Sequence, residues 1–211
     1  MYITFDFDGV IVDTERGIFR FFQKELSKRG IDLPDSKLHL KVGNSSEKFL
    51  RMTTSLSEPE IRELTIMRRN QFLSNLDMYV LIDGVKEEIL RLSKKHKLAL
   101  CSNSPRDLLM SVIEYYGIAE YFEFVLSAED VKMLKPDPEI YNLAKSRFEL
   151  MFGERVDYEN SYVIEDSIYG ITAGKAAGLR VIALTTSFPK EMLHDADYVI
   201  DGYKELENII M

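Results

Sequence analysis

The sequence predicts an α/β fold, a doubly wound parallel sheet, with a small all-helical domain inserted after the first strand. Three observations carry that reading. After residue 80, short apolar runs alternate with longer amphipathic stretches, the pattern of βαβ units and a parallel sheet covered on both faces. Between residues 15 and 81, apolar residues recur only at helical spacing, with no convincing strand. Acidic and polar residues directly follow four of the apolar runs, and a doubly wound sheet binds ligands beyond the carboxyl ends of its strands. The expected domains are therefore a core of residues 1–14 and 82–211 and a helical insertion of residues 15–81.

Taken in order, the first strand is expected at Ile3 to Phe5. Ile18, Phe19, Phe22 and Leu26 then mark a helix whose apolar stripe reads as packing. "SEPEIRELTIMRRNQFLSNL" marks another, with Ser57 as N-cap and Pro59 in the first turn. Thr14 and Ile82 flank the insertion as expected hinges. Further strands are expected at Leu98 to Cys101, Phe124 to Leu126, Tyr162 to Ile164, Val181 to Leu184 and Tyr198 to Ile200. Helices fill the intervals near 84–95, 105–116, 138–149, 168–177 and 188–194, with Ser104 before Pro105 as an N-cap.

The composition bounds the function. With 211 residues, 45% of them hydrophobic and 29% charged, the chain can build one good core and a smaller appendage. A net charge of −8 argues against a nucleic-acid binder, and no stretch is apolar enough to enter a membrane. A lone cysteine, Cys101, lies in the apolar run "KLALCSNS" and reads as a buried structural thiol. With no basic, apolar leader at the start, a cytoplasmic location and a monomeric state are the simplest expectations.

The chemistry starts with "ITFDFDGVIVDT", which sets three aspartates in a run that otherwise reads as buried strand. An unpartnered buried carboxylate is costly, so Asp6 and Asp8 need company there. Other strand ends supply it: Ser102, Asn103 and Ser104 after "LALC", Lys135 in "KPDP", and Glu165 and Asp166 after "YVI". Each has a plainer reading alone. Asp8-Gly9 fits a turn, Ser102 a loop hydroxyl, "KPDP" a rigid loop entering a helix, and Glu165-Asp166 a helix-capping strand end. Together at one sheet edge they fit phosphoryl transfer with Mg²⁺, which takes oxygen ligands and keeps substrate phosphate alongside carboxylates. Asp6 and Asp166 are the natural ligands, with Glu165 possible as a further one. Asp6, nearest the strand end, is the expected nucleophile, and Asp8 the general acid and base. Lys135 would offset charge repulsion, and Ser102 would hold phosphate oxygens.

These residues resemble the haloacid dehalogenase superfamily. "DFDGVIVDT" resembles its first motif, "LCSNS" its strand-end Ser/Thr motif, "KPDPEIY" its lysine motif and "VIEDSIYGITAGKAAG" its acidic motif. Their order and spacing suit members with a Rossmann-like core and a helical cap inserted after the first motif. The resemblance implies a phosphorylated Asp6, an acid/base Asp8 whose carbonyl also ligates Mg²⁺, a phosphate-binding Ser102, a charge-stabilising Lys135 and a metal ligand in Asp166. It adds Glu165 to the metal site and backbone contacts from Gly9 and Asn103. Superfamily dehalogenases lack the second aspartate, so Asp8 points to phosphorus rather than carbon–halogen chemistry.

The implied activity is a phosphatase for a small phosphorylated metabolite, a sugar phosphate or phosphoglycolate. The alternative is a β-phosphoglucomutase-like phosphomutase. Such mutases carry a histidine about ten residues beyond the acid/base aspartate; here Ile18 stands there, and His39, His96 and His194 lie elsewhere. A receiver-type signalling module shares the acidic cluster, but receivers are much shorter and have no helical insertion. In the cap, "LKVGNSSEKF" resembles the subgroup's specificity loop. Lys41, Asn44 and Lys48 there, and Arg68 and Arg69, are candidates to reach the leaving group; a solvated helix face is the plainer reading of each.

Overall fold

The computed structural model of the protein describes residues 1–41 and 46–210. The chain forms two compact units, Met1–Val12 with Leu81–Met211, and Asp13–Val80. Strands and helices follow in the order β1 (Tyr2–Phe5), β2 (Val12–Asp13), α1 (Thr14–Ser27), α2 (Ser46–Thr53), α3 (Glu58–Ser74), β3 (Val80–Leu81) and α4 (Val85–Ser93). Then come β4 (Lys97–Cys101), α5 (Arg106–Tyr115), β5 (Phe124–Leu126), α6 (Glu139–Phe152), β6 (Ser161–Glu165), α7 (Ile168–Ala176), β7 (Arg180–Leu184) and β8 (Tyr198–Ile200).

The larger unit is built on a six-stranded sheet in the order β5-β4-β1-β6-β7-β8, with every neighbouring pair parallel. β1 lies inside it, with Phe5 paired to Leu100 on one flank and to Ile164 on the other. All four of its residues are buried, as a strand covered on both faces requires. On one face Ala99, Cys101, Val163, Val181 and Ala183 pack with Ile140, Tyr141, Ala144 and Phe148 of α6 and Ile171 and Ala173 of α7. Burying each large side chain there stabilises the unit by ~1.5–3 kcal/mol. Cys101 is fully buried, and burial pushes its thiol pKa up, so it is a packing group.

This strand order sets the position of the site. The chain winds outward from β1 to β4 and β5, then returns to β1's other flank and winds outward again through β6, β7 and β8. The order reverses at β1 and β6, where a crevice opens beyond the strand ends. Asp6 follows β1 directly, and Glu165 is the last residue of β6.

The smaller unit is helical. Asp13 caps α1, its Oδ1 accepting the Arg16 N–H at 2.7 Å. Glu60 in the first turn of α3 accepts the Ser57 N–H at 2.8 Å, so the helix starts after Ser57 as its sequence predicts. Ile18, Phe19, Phe22, Leu26, Phe49 and Leu64 are among the residues of one apolar cluster, so the α1 stripe is packing.

Three local expectations are corrected. β2 and β3 pair where the chain passes between the units; two residues each are too few for a readable alternation. The helix expected over 188–194 is one short turn at Lys190–Met192: extended Pro189 keeps it from starting earlier, and the backbone leaves helical geometry at Leu193. Extended Pro105, not Ser104, stands at the N-cap of α5, and the Ser104 hydroxyl is committed elsewhere. Among the described residues, no helix is long and apolar enough to cross a membrane.

Candidate active site

Asp6 leaves β1 still tied to the sheet, its N–H donating to the Ile164 carbonyl at 2.9 Å. The chain then turns tightly, with the Phe7 carbonyl accepting the Ile11 and Val12 N–H groups at 2.8 and 3.1 Å. Gly9 takes φ +72° in this turn, and a Cβ there would fall 1.8 Å from Asp166 Oδ2. Glycine is required twice over, for the left-handed backbone and for the carboxylate beside it.

Lys135 occupies the centre. Its Nζ donates to Asp6 Oδ1 at 2.6 Å, Glu165 Oε1 at 2.7 Å and the Cys101 carbonyl at 2.9 Å, which uses all three protons. The Asn103 side chain fixes the lysine's backbone: its Oδ1 accepts the Lys135 N–H at 3.1 Å and its Nδ2 donates to the Lys135 carbonyl at 3.4 Å. Glu165 is held from every side. The Tyr141 hydroxyl donates to Oε1 at 2.6 Å, and the Ser167 hydroxyl donates to Oε2 at 3.1 Å. Helix α7 approaches so closely that a Cβ on Gly170 would lie 1.8 Å from Glu165.

Two hydroxyls complete the grip on the other acids. Ser187 Oγ donates to Asp166 Oδ2. The Ser104 hydroxyl donates to Asp8 Oδ2 at 2.8 Å, while Ser102 Oγ accepts the Ser104 N–H at 3.0 Å.

The charge balance is lopsided. Asp6, Glu165 and Asp166 each bring a carboxylate oxygen within 4.8 Å of the others, all three are buried, and among the described residues Lys135 is the one ammonium ion-paired with them. Burial, then the Glu165 charge, pushes the Asp6 carboxyl up to about 7 against the pull of Lys135. Burial, then Glu165 and Asp6, raises Asp166 well above the ordinary carboxylate range. Burial works against the Lys135 charge, yet Asp6 and Glu165 outweigh it and hold the ammonium above its usual pKa. Excess negative charge in an all-oxygen setting fits a hard divalent cation, which would compensate what one lysine does not.

The structure thus brings Asp6, Asp8, Gly9, Ser102, Asn103, Lys135, Glu165 and Asp166 to one sheet edge. The Gly9 N–H donates to the Val12 carbonyl at 2.8 Å within the turn. In the helical unit, Lys41 is buried with its Nζ 2.5 Å from Glu15, Lys48 is exposed and Arg68 half-buried. Asn44 and the side chain of Arg69 lie outside the described residues. Sequence reasoning missed Tyr141, Thr186 and Ser187, and it read Ser104 as a helix cap. Ser187 and Thr186 follow the apolar run of β7, so the strand-end rule extended to that run would have found them. Tyr141 stands inside the quoted lysine motif but reads there as core.

The family model of haloacid dehalogenase-like hydrolases matches residues 3–184, and the chain belongs to that family. It is 27% identical over 205 residues to validoxylamine A 7'-phosphate phosphatase of Streptomyces hygroscopicus subsp. limoneus, covering 96% of this chain and 93% of that one. It is 28% identical over 214 residues to 2-deoxyglucose-6-phosphate phosphatase 2 of Saccharomyces cerevisiae, covering 93% and 85% respectively. Its fold is similar to that of a subfamily IA hydrolase of the same superfamily from Geobacter sulfurreducens, with a TM-score of 0.73 at 19% identity over 100% of this chain and 96% of that one.

Proposed function

We propose that this chain is a Mg²⁺-dependent phosphatase that hydrolyses a small phosphorylated metabolite, a sugar phosphate foremost, through an aspartyl phosphate on Asp6. It is a phosphoric monoester hydrolase, acting as a monomer in the cytoplasm, with residues 1–14 and 82–211 as catalytic core and 15–81 as cap. The observation that carries the reading is the buried contact of Lys135 Nζ with both Asp6 and Glu165, beside Asp166, at the reversal of strand order. The names of the two phosphatase relatives, each with a phosphorylated polyhydroxy compound in it, support the substrate class.

Asp6 attacks phosphorus through a carboxylate oxygen, and the bond from phosphorus to the leaving oxygen breaks as the new bond forms. Asp8, held by Ser104, gives its proton to the departing oxygen. Asp8 then takes a proton from water, whose oxygen attacks the phosphorus and frees Asp6 and inorganic phosphate. Lys135, at 2.6 Å from Asp6, offsets the repulsion between an anionic nucleophile and an anionic substrate. The Ser102 hydroxyl and the Asn103 N–H hold the non-bridging oxygens. Asp6, Asp166 and the Asp8 carbonyl would hold Mg²⁺, while Glu165, already met by Lys135, Tyr141 and Ser167, supplies charge and anchors the lysine. When bound, the ion neutralises phosphate charge as a Lewis acid. Lys41, Asn44, Lys48, Arg68 and Arg69 are the cap residues proposed to select the leaving group.

Phosphate release from a panel of phosphomonoesters, with and without Mg²⁺ and with Asp6→Asn as the blank, tests the reading. Metal-dependent release that vanishes in the blank is expected; near-normal release by Asp6→Asn overturns the mechanism. Conversion of β-glucose 1-phosphate to glucose 6-phosphate without net release identifies a phosphomutase instead. Ile18, buried in the apolar cluster of its own unit where mutases carry a histidine, speaks against that outcome.

A further inference from the structure

We propose that Ser187, in the loop after β7, is a positioning residue for the divalent cation, orienting the Asp166 carboxylate that would help to hold the ion. The proposal rests on the magnesium reading above. Asp166 Oδ2 is confined on two sides: the Ser187 hydroxyl donates to it, and Gly9 lies so close that an added Cβ would fall 1.8 Å away. A hydrogen bond to one carboxylate oxygen favours one orientation of the group and so biases the direction of the second oxygen. Asp166 is 4% exposed, so the carboxylate sits among protein groups rather than in open solvent.

The same loop grips the nucleophile's turn as well. The Thr186 hydroxyl donates to the Gly9 carbonyl at 2.5 Å, so successive hydroxyls of one loop tie Asp166 and the turn after Asp8 together. Hydrogen bonds of this kind to ligating carboxylates orient them, and their loss typically weakens metal binding by about 10–100-fold. A loop hydroxyl that merely satisfies itself would leave ion affinity untouched.

The test is Mn²⁺ binding to the full-length protein, followed by electron paramagnetic resonance and displaced with Mg²⁺, alongside melting in EDTA. Ser187→Ala should weaken Mn²⁺ binding about 10–100-fold, while Ser187→Thr, which keeps the hydroxyl, stays within about threefold of the parent. Asp166→Asn should abolish binding. Affinity in Ser187→Ala within about threefold of the parent, with Asp166→Asn still inactive in binding, overturns the role of Ser187 and leaves the magnesium reading standing. Equal losses in the alanine and threonine variants, or loss of the metal-free melting transition in Ser187→Ala, make the residue merely structural and overturn the proposal. Absence of Mn²⁺ binding by the parent protein overturns both.

Discussion

The crowding of carboxylates around Lys135 makes a prediction about stability that involves no substrate. Asp6 titrates at about 7 in the folded protein against an ordinary 3.8, because it is buried and faces Glu165. The folded state therefore holds this proton more tightly than the unfolded state does. Stability from the group is full below the ordinary pKa and is lost as pH rises through the folded one. At ~1.4 kcal/mol for each tenfold change in proton concentration, the whole window is worth up to ~4 kcal/mol. Asp6→Asn cannot titrate and serves as the reference. In EDTA, the stability of the parent relative to Asp6→Asn should fall by up to ~3 kcal/mol between about pH 4.5 and about pH 8, or ~6–12 °C in melting temperature. Saturating Mg²⁺ should flatten the difference by compensating the charge. Thermal unfolding of both proteins across that range is the assay; parallel curves in EDTA would refute the reasoning.

Two substitutions probe the neighbours of that cluster. Gly9→Ala must place a methyl group on the Asp166 carboxylate and strain a backbone at φ +72°, so it should cost about 1–3 kcal/mol in denaturant unfolding and weaken Mn²⁺ binding. Tyr141→Phe removes a buried 2.6 Å hydrogen bond to Glu165 and should cost about 1–3 kcal/mol, with kcat lowered and KM unchanged in steady-state assays, since the tyrosine acts through Lys135.

Much of this site was legible because it follows from a rule about strand ends rather than from any one motif. Asp6, Ser102 and Asp166 stand just beyond short apolar runs, Lys135 follows the loop after another, and parallel strands carry such residues to one edge. What stayed hidden depends on side-chain direction. Ser104 before Pro105 looks like a cap in sequence, yet its hydroxyl serves Asp8. Tyr141 has the spacing of a core residue, and only its hydroxyl, which periodicity ignores, reaches Glu165. The helical insertion was visible from Phe19, Phe22 and Leu26, whereas β2 and β3 were too short to leave a pattern.

The place of β1 has a consequence for the chain as it is made. Its residues pair with β4, where Tyr2 meets Lys97, and with β6, where Tyr2 meets Ser161. Once β4 has emerged from the ribosome, roughly sixty more residues must be synthesised before β6 can cover the other flank, a delay on the order of 3–12 s at ordinary elongation rates. Through that interval one of the two central strands of the finished sheet is an open apolar edge, a natural grip for a holding chaperone and a hazard without one. Asp6 waits through the same interval without Glu165, so the acidic crowd gathers only when the last half of the sheet closes.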